Sequence, residues 1–207
     1  MDNTFLKQYT GTPYRDEIWS RGPQIIPGRV MCAYYDEGGE GTAYHDKDPE
    51  NHGSGQLNPV DGSYLHQFRI TEGVDTSYVK FRDEIDNNGF NLVEPEKDML
   101  YVGWTEPGEW LRYTVSVEAA GVYGVELMYT SHRGGKISLA IDGGPPVLCD
   151  ITATYDAADP IAWRQWHHWN KAKIAELSLP GGIHVLTLQT VEQGNMNYGY
   201  LEFKSTT

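Results

Sequence analysis

The sequence is short of basic residues and nearly free of cysteine. Lys and Arg total 16 against 29 Asp and Glu in 207 residues, a formal charge of −13 at pH 7. A surface of that sign repels phosphate backbones and anionic headgroups, which argues against nucleic acid and membrane-surface partners. Cys32 and Cys149 are the only cysteines, too few for a disulfide framework, and both are expected as core thiols. No apolar run approaches the ~18 residues of a membrane span. The opening MDNTFLKQYTG lacks the basic and apolar regions of a signal peptide, so an exported chain would have had its leader removed. Also missing are a GxSxG elbow, an HExxH pair, a P-loop and a dinucleotide-binding glycine motif. The 29 acids make some close carboxylate pair inevitable, so their abundance is no sign of glycoside hydrolysis, which needs two held ~5 to 9 Å apart.

What is present is aromatic and alternating. Fourteen Tyr and six Trp outnumber five Phe, a bias toward rings with a polar handle that suit half-wet binding surfaces. Leu111, Tyr113, Val115 and Val117 alternate with polar residues, the period of a half-buried strand. Tyr123, Val125, Leu127 and Tyr129 repeat it, followed by Ile137, Leu139 and Ile141, then Leu186 and Leu188, then Leu201 and Phe203. Turn chemistry separates the runs, as in Glu106-Pro107-Gly108, Asp142-Gly143-Gly144 and Pro180-Gly181-Gly182. The expected fold is therefore all-β, an antiparallel β-sandwich or jelly roll with long loops. Lys171 to Leu177 stays ambiguous between strand and helix. Residues 1–25 lack alternation and read as an N-terminal arm or linker, with the domain proper over 26–205. Residues 51–67 and 82–98 are long polar loops, of a length that is usually functional or disordered. A chain of this size buries roughly 70% of its unfolded surface, enough for a core without staples.

The stretch Trp163–Asn170 (WRQWHHWN) concentrates the chemistry. Strand alternation places Trp163, Gln165, His167 and Trp169 on one face and Arg164, Trp166, His168 and Asn170 on the other. Trp169 is then assigned to packing and Trp166 to a ligand. The two adjacent histidines point to opposite faces, so they do not chelate one metal. The cluster Asp83, Glu84, Asp86, Asn87 and Asn88 lacks the spacing of a calcium hand and reads as a solvated loop.

VGWTEPGEWLRYTVSVEAAGVYGVELMY (102–129) resembles a family 6 carbohydrate-binding module. IPGRV (26–30), YYDEGGEGTAYHD (34–46), FRITEGVD (68–75), ISLAIDGG (137–144), LSLPGGIHVLTL (177–188) and GNMNYGYLEF (194–203) follow the family's order. The resemblance implies a jelly roll whose loop-end cleft sandwiches a sugar ring between two aromatics while an Asn hydrogen-bonds its hydroxyls. By that resemblance the Asn is Asn197 and the aromatics are Trp166 and Phe68. Tyr64, in the insertion QLNPVDGSYLHQ (56–67), which is placed to wall or cap the cleft, stands as a replacement contact, and Trp163 and Glu72 complete the candidate set. The family's structural calcium is expected to be absent, because its carboxylate positions fall at Met31, Ala33 and Gly199, none of which offers a hard oxygen. No cofactor or metal is expected.

The reading from sequence is a non-catalytic module that binds an oligo- or polysaccharide, is secreted to the exterior or periplasm, and serves an attached or partner glycoside hydrolase. The alternatives are a small β-sandwich glycoside hydrolase or polysaccharide lyase, or a structural docking domain of a larger hydrolase with its cleft occluded by residues 56–67. A pyranose offers an apolar C–H face and a hydroxyl rim, so flat rings with a few amides form its complement.

Overall fold

The structure, a computed structural model, describes residues 4–206. After a short helix, Thr4–Gln8, the chain forms twelve strands: β1 Gln24–Ile26, β2 Gly28–Met31, β3 Tyr44–His45, β4 Thr76–Tyr78, β5 Leu100–Val102, β6 Trp110–Val117, β7 Gly121–Ser131, β8 Gly135–Ile141, β9 Val147–Ile151, β10 Asn170–Leu179, β11 Gly182–Glu192 and β12 Met196–Ser205. One sheet runs β1-β6-β11-β8-β9, with β3 also on β6; the other runs β10-β7-β12-β5-β4, with β2 also on β12. All pairings are antiparallel except β1 with β6. The expected β-sandwich is the observed fold.

Alternation dictates the layering. In β6 every second residue, Leu111, Tyr113, Val115 and Val117, is buried, and the register sets Leu186 and Leu188 of β11 opposite Tyr113 and Leu111. Tyr123, Val125, Leu127 and Tyr129 of β7 meet them from the other sheet, together with Leu201 and Phe203 of β12, in one apolar cluster. Such stripes bury because each removed Å² of apolar surface is worth about 25 cal/mol. The ambiguous segment Lys171–Leu177 is strand: it lies in β10, an edge strand with a bulge between Lys173 and Ala175.

Both cysteines are buried and free, as core thiols. Burial pushes the Cys32 thiol up to about 12 and the Cys149 thiol up to about 11. Residues 4–23 are docked onto the sandwich, while Gln24 and Ile25 of the expected arm already pair with β6 as strand β1, so the sheet begins two residues before the expected boundary. The Tyr9 hydroxyl donates to Asp36 Oδ2 at 2.8 Å, Thr12 pairs with Glu37 through the backbone, and Tyr14 and Trp19 both stack on Tyr34.

Candidate functional site

The loops at one end of the sandwich hold a buried ionic clasp. Asp159 accepts from Arg164 Nε and Nη2 at 2.8 Å each, lies 2.8 Å from His168 Nε2, and accepts from the Ile161 backbone N–H at 2.9 Å. The Arg164 guanidinium, with these hydrogen bonds, holds the Asp159 carboxyl well below the usual carboxylate range. Arg164 Nη1 also meets Glu84 Oε2 at 3.0 Å, which ties the 155–169 loop to the 82–98 loop. Asp86 makes the second tie: it accepts from Trp169 Nε1 at 2.8 Å and from the Lys80 backbone N–H at 2.7 Å, and lies 2.8 Å from His167 Nδ1. Asp83, Glu84 and Asn87 are exposed as a solvated loop requires, but Asp86 and Asn88 are buried, so the expectation is corrected for those two. Their carboxylate and amide instead satisfy groups of the tryptophan-rich segment, as buried polar groups require.

That clasp changes the local backbone of WRQWHHWN. Ala162–Trp166 is a 3-10 turn, closed by Arg164 N–H to the Ile161 carbonyl at 3.1 Å and His167 N–H to the Arg164 carbonyl at 2.8 Å. The expected strand alternation over this segment is therefore corrected. In a 3-10 turn residues three apart share a side, so Trp163 and Trp166 come together instead of opposing each other. They are 52% and 37% exposed, while Trp169 is buried, edge-on to Tyr101 with ring centroids 5.4 Å apart.

A solvent-open cleft of about 330 Å³ is lined by Tyr101, Trp104, Trp163, Trp166, His167, Asn195 and Asn197. Asn197 fastens its walls. Its Nδ2 donates to the Trp166 carbonyl at 3.0 Å, and a Cβ on Gly103 would lie only 2.7 Å from its Oδ1, so glycine before Trp104 is a condition of that approach. Thr130 Oγ1 donates to the same Trp166 carbonyl at 2.7 Å. The Trp166 ring stacks on His132, centroids 4.2 Å apart and planes 9° apart, which covers one face and sets the ring's orientation. Trp104 follows β5 in the left-handed region, φ 48, a conformation costly for a bulky residue and common where side chains are aimed at ligands.

Of the residues picked from sequence, Trp163, Trp166 and Asn197 meet in this cleft. Phe68 does not. It is 3% exposed and sits edge-on to Tyr14, Tyr34 and Tyr64, so its assignment as a stacking aromatic is corrected: its faces are taken by protein rings. Tyr64 belongs to the same satellite cluster, its hydroxyl donating to Asp16 Oδ2 at 2.7 Å. Glu72 accepts from the Tyr35 hydroxyl at 2.7 Å and from Arg69 Nε at 3.0 Å, outside the cleft lining. No residue of 56–67 lines the cleft, so the insertion neither walls nor caps it and Trp166 is not occluded. Sequence reasoning missed Trp104, although it stands in the block that carries the resemblance; an exposed indole directly after a strand end, behind a glycine, was the available signal.

The positions expected to lack calcium ligands are apolar in their surroundings. Ala33 is buried with Phe68, Tyr78 and Leu100, and Met31 packs against the apolar cluster that contains Val79, Met99 and Tyr101. A Cβ on Gly199 would meet Met99 Cε at 2.7 Å. These residues do not fit a hard cation, which takes oxygen ligands. Among the described residues no three His, Cys, Asp or Glu side chains are grouped to hold a metal.

The family model of the carbohydrate-binding modules of family 6 matches residues 83–205, a span that contains the cleft indoles and Asn197. The chain belongs to that family. Among solved structures, a β-1,3-glucan-binding family 6 module from Bacillus halodurans is 15% identical, with TM-score 0.54 over 88% of this chain and 99% of that one. A family 43 arabinoxylan arabinofuranohydrolase from Bacillus subtilis, in complex with cellotetraose, is 13% identical with TM-score 0.54, over 93% of this chain but 33% of that enzyme. A family 6 module from Cellvibrio mixtus lichenase 5A, in complex with cellotriose, is 24% identical with TM-score 0.43, over 52% of this chain and 79% of that one. At these identities the two likenesses of TM-score 0.54 show the fold alone. Among curated proteins, no sequence matches significantly. The chain is thus a carbohydrate-binding module, and no helix among its described residues is long and apolar enough to cross a membrane.

Proposed function

We propose that this carbohydrate-binding module is non-catalytic and holds a neutral sugar ring in the cleft against Trp104 and Trp166, with Asn197 as hydrogen-bonding residue and Trp163 extending the apolar wall. The supporting observation is the convergence of three partly exposed indoles and two asparagine side chains on one open groove. Indoles supply flat apolar area for the C–H face of a pyranose. Asn197 uses one N–H on the Trp166 carbonyl, and an amide carries a second N–H and an acceptor oxygen for sugar hydroxyls.

A hydrolytic or lyase reading lacks its chemistry at this place. No carboxylate lines the cleft, whereas glycoside hydrolysis takes a pair of them. The nearby Asp86 and Asp159 are buried with their oxygens bound to Arg, Trp and backbone donors. The module serves outside the cell, attached to or partnering a glycoside hydrolase, and raises the enzyme's residence on an insoluble polysaccharide. It carries no structural calcium.

Calorimetric titration with β-glucan and xylan oligosaccharides tests the cleft. Trp104→Ala removes one apolar wall worth about 1.5–3 kcal/mol when fully covered, so affinity should fall about 10- to 100-fold. Unchanged binding in that variant overturns the assignment.

A further inference from the structure

The cleft does not end at Trp166. A second pocket of about 150 Å³, the scale of one sugar unit, is lined by His132, Arg133, Trp166, Gln193, Gly194 and Asn195. It shares Trp166 and Asn195 with the main cleft, so the two adjoin at that indole. Arg133 is exposed there and has no hydrogen bond, ion pair or ring contact among the described residues, although the chain has 13 more negative than positive groups. Arg82 and Lys97 likewise show no side-chain partner among the described residues but line neither pocket, whereas other cations are occupied. Lys136 on the next strand meets Glu192 at 3.3 Å, Lys171 meets Glu202 at 2.9 Å, and Arg164 is held by Asp159. No carboxylate lines either pocket. The nearest in sequence, Glu192, is the one occupied by Lys136.

The loops that frame this pocket have fixed backbones. Gly134, next to Arg133, has φ 73, and a Cβ there would lie 2.8 Å from the Ile151 carbonyl oxygen; Ser131 Oγ donates to the Gly134 carbonyl at 3.2 Å. Opposite, Gln193, Gly194 and Asn195 are all left-handed, and a Cβ on Gly194 would meet the Thr105 carbonyl oxygen at 2.3 Å. The Arg133 side chain therefore leaves a turn of defined backbone and lines a groove without a protein anion to receive it. Guanidinium pairs with a carboxylate in planar, two-point and charge-assisted fashion, which is stronger than its hydrogen bonds to neutral hydroxyls.

Resting on the sugar-cleft reading, we infer that the Arg133 pocket is a second subsite, specific for an acidic sugar unit, a uronate, adjoining the neutral unit held at Trp166. The ligand class is thus a polysaccharide that carries uronic acid on or in an otherwise neutral chain. The long-range field of the module opposes heavily acidic polymers, and Arg133 provides a local exception for a sparse acid.

The test uses two pairs of oligosaccharides: a xylo-oligosaccharide with a glucuronic acid branch and an oligoglucuronan, each beside its carboxyl-reduced form, which is neutral and otherwise identical. Calorimetry should show at least one acidic form binding about fivefold tighter than its reduced partner, the upper range for an exposed ion pair. Arg133→Gln should erase that preference, so that the acidic and reduced forms bind alike, and Arg133→Lys should keep part of it. Equal affinity within both pairs, a preference that survives Arg133→Gln, or no binding of any of the four glycans overturns the inference. Trp166→Ala separates the two claims: it should weaken the reduced forms too, and if these bind unchanged the cleft reading itself fails.

Discussion

Replacing Asp159 by Asn tests whether the ionic clasp builds the cleft. Asp159 and Arg164 are 2% and 5% exposed, and the substitution leaves a guanidinium nearly enclosed without its two-point partner. Breaking one side of a buried pair costs ~3–5 kcal/mol. The lower end, about 3 kcal/mol, applies here because Glu84 still meets Arg164 Nη1 at 3.0 Å. For a domain of this size each kcal/mol moves Tm by about 2–4 °C, so calorimetry at pH 7 should record a fall of about 6–12 °C. The pH dependence has a definite sign. Asp159 is lowered from an ordinary value of 3.8, so its contribution is complete above that pH and is lost as pH falls further, toward its value in the fold. The gap between wild type and Asp159→Asn should accordingly stay constant from pH 7 to about 5 and narrow below 3.8. Because the turn carrying Trp163 and Trp166 hangs on Arg164, oligosaccharide affinity should fall in parallel. A variant that melts within about 2 °C of wild type at pH 7 would refute the clasp as a determinant of the site.

Tyr64→Phe removes the hydroxyl bonded to Asp16 and should lower Tm by a few degrees, since a hydrogen bond to a charged group is worth about 1.5–3 kcal/mol, while leaving sugar affinity within error; a loss of binding would return Tyr64 to the site. With thiols pushed up to about 12 and about 11 and both buried, Cys32 and Cys149 should resist a disulfide reagent at pH 8 in the native state and react fully in denaturant; rapid native labelling would contradict their burial. Gly194→Ala places a methyl 2.3 Å from the Thr105 carbonyl oxygen in a left-handed residue, and urea unfolding should show a loss of more than about 1 kcal/mol.

The strands were legible because their burial repeats every two residues, and a repeat of that kind survives without knowledge of the partner strand. The sandwich followed from Leu111–Val117 and Tyr123–Tyr129, where the pattern and the packing coincide. The site was less legible. WRQWHHWN alternates well enough to pass for a strand, and what winds it into a turn is the capture of Arg164 and His168 by Asp159. Trp169 does point inward, but the reason is Asp86, 83 positions away, to which its indole donates. Phe68 carried the right chemistry for stacking; its burial depends on Tyr34, just after β2, and on Tyr14, a ring brought in by the docked arm. Trp104 escaped notice since its direction is set by a left-handed backbone that no local periodicity encodes.

The central claim is that the cleft indoles, and no others, meet the sugar. The chain has six tryptophans, of which Trp104, Trp163 and Trp166 line the cleft while Trp19, Trp110 and Trp169 do not. Nuclear magnetic resonance of the six indole N–H signals, followed during titration with a bound oligosaccharide, reads this directly. Shifts confined to Trp104, Trp163 and Trp166 are expected. Movement of Trp19 or Trp110 with the cleft signals still would contradict the account.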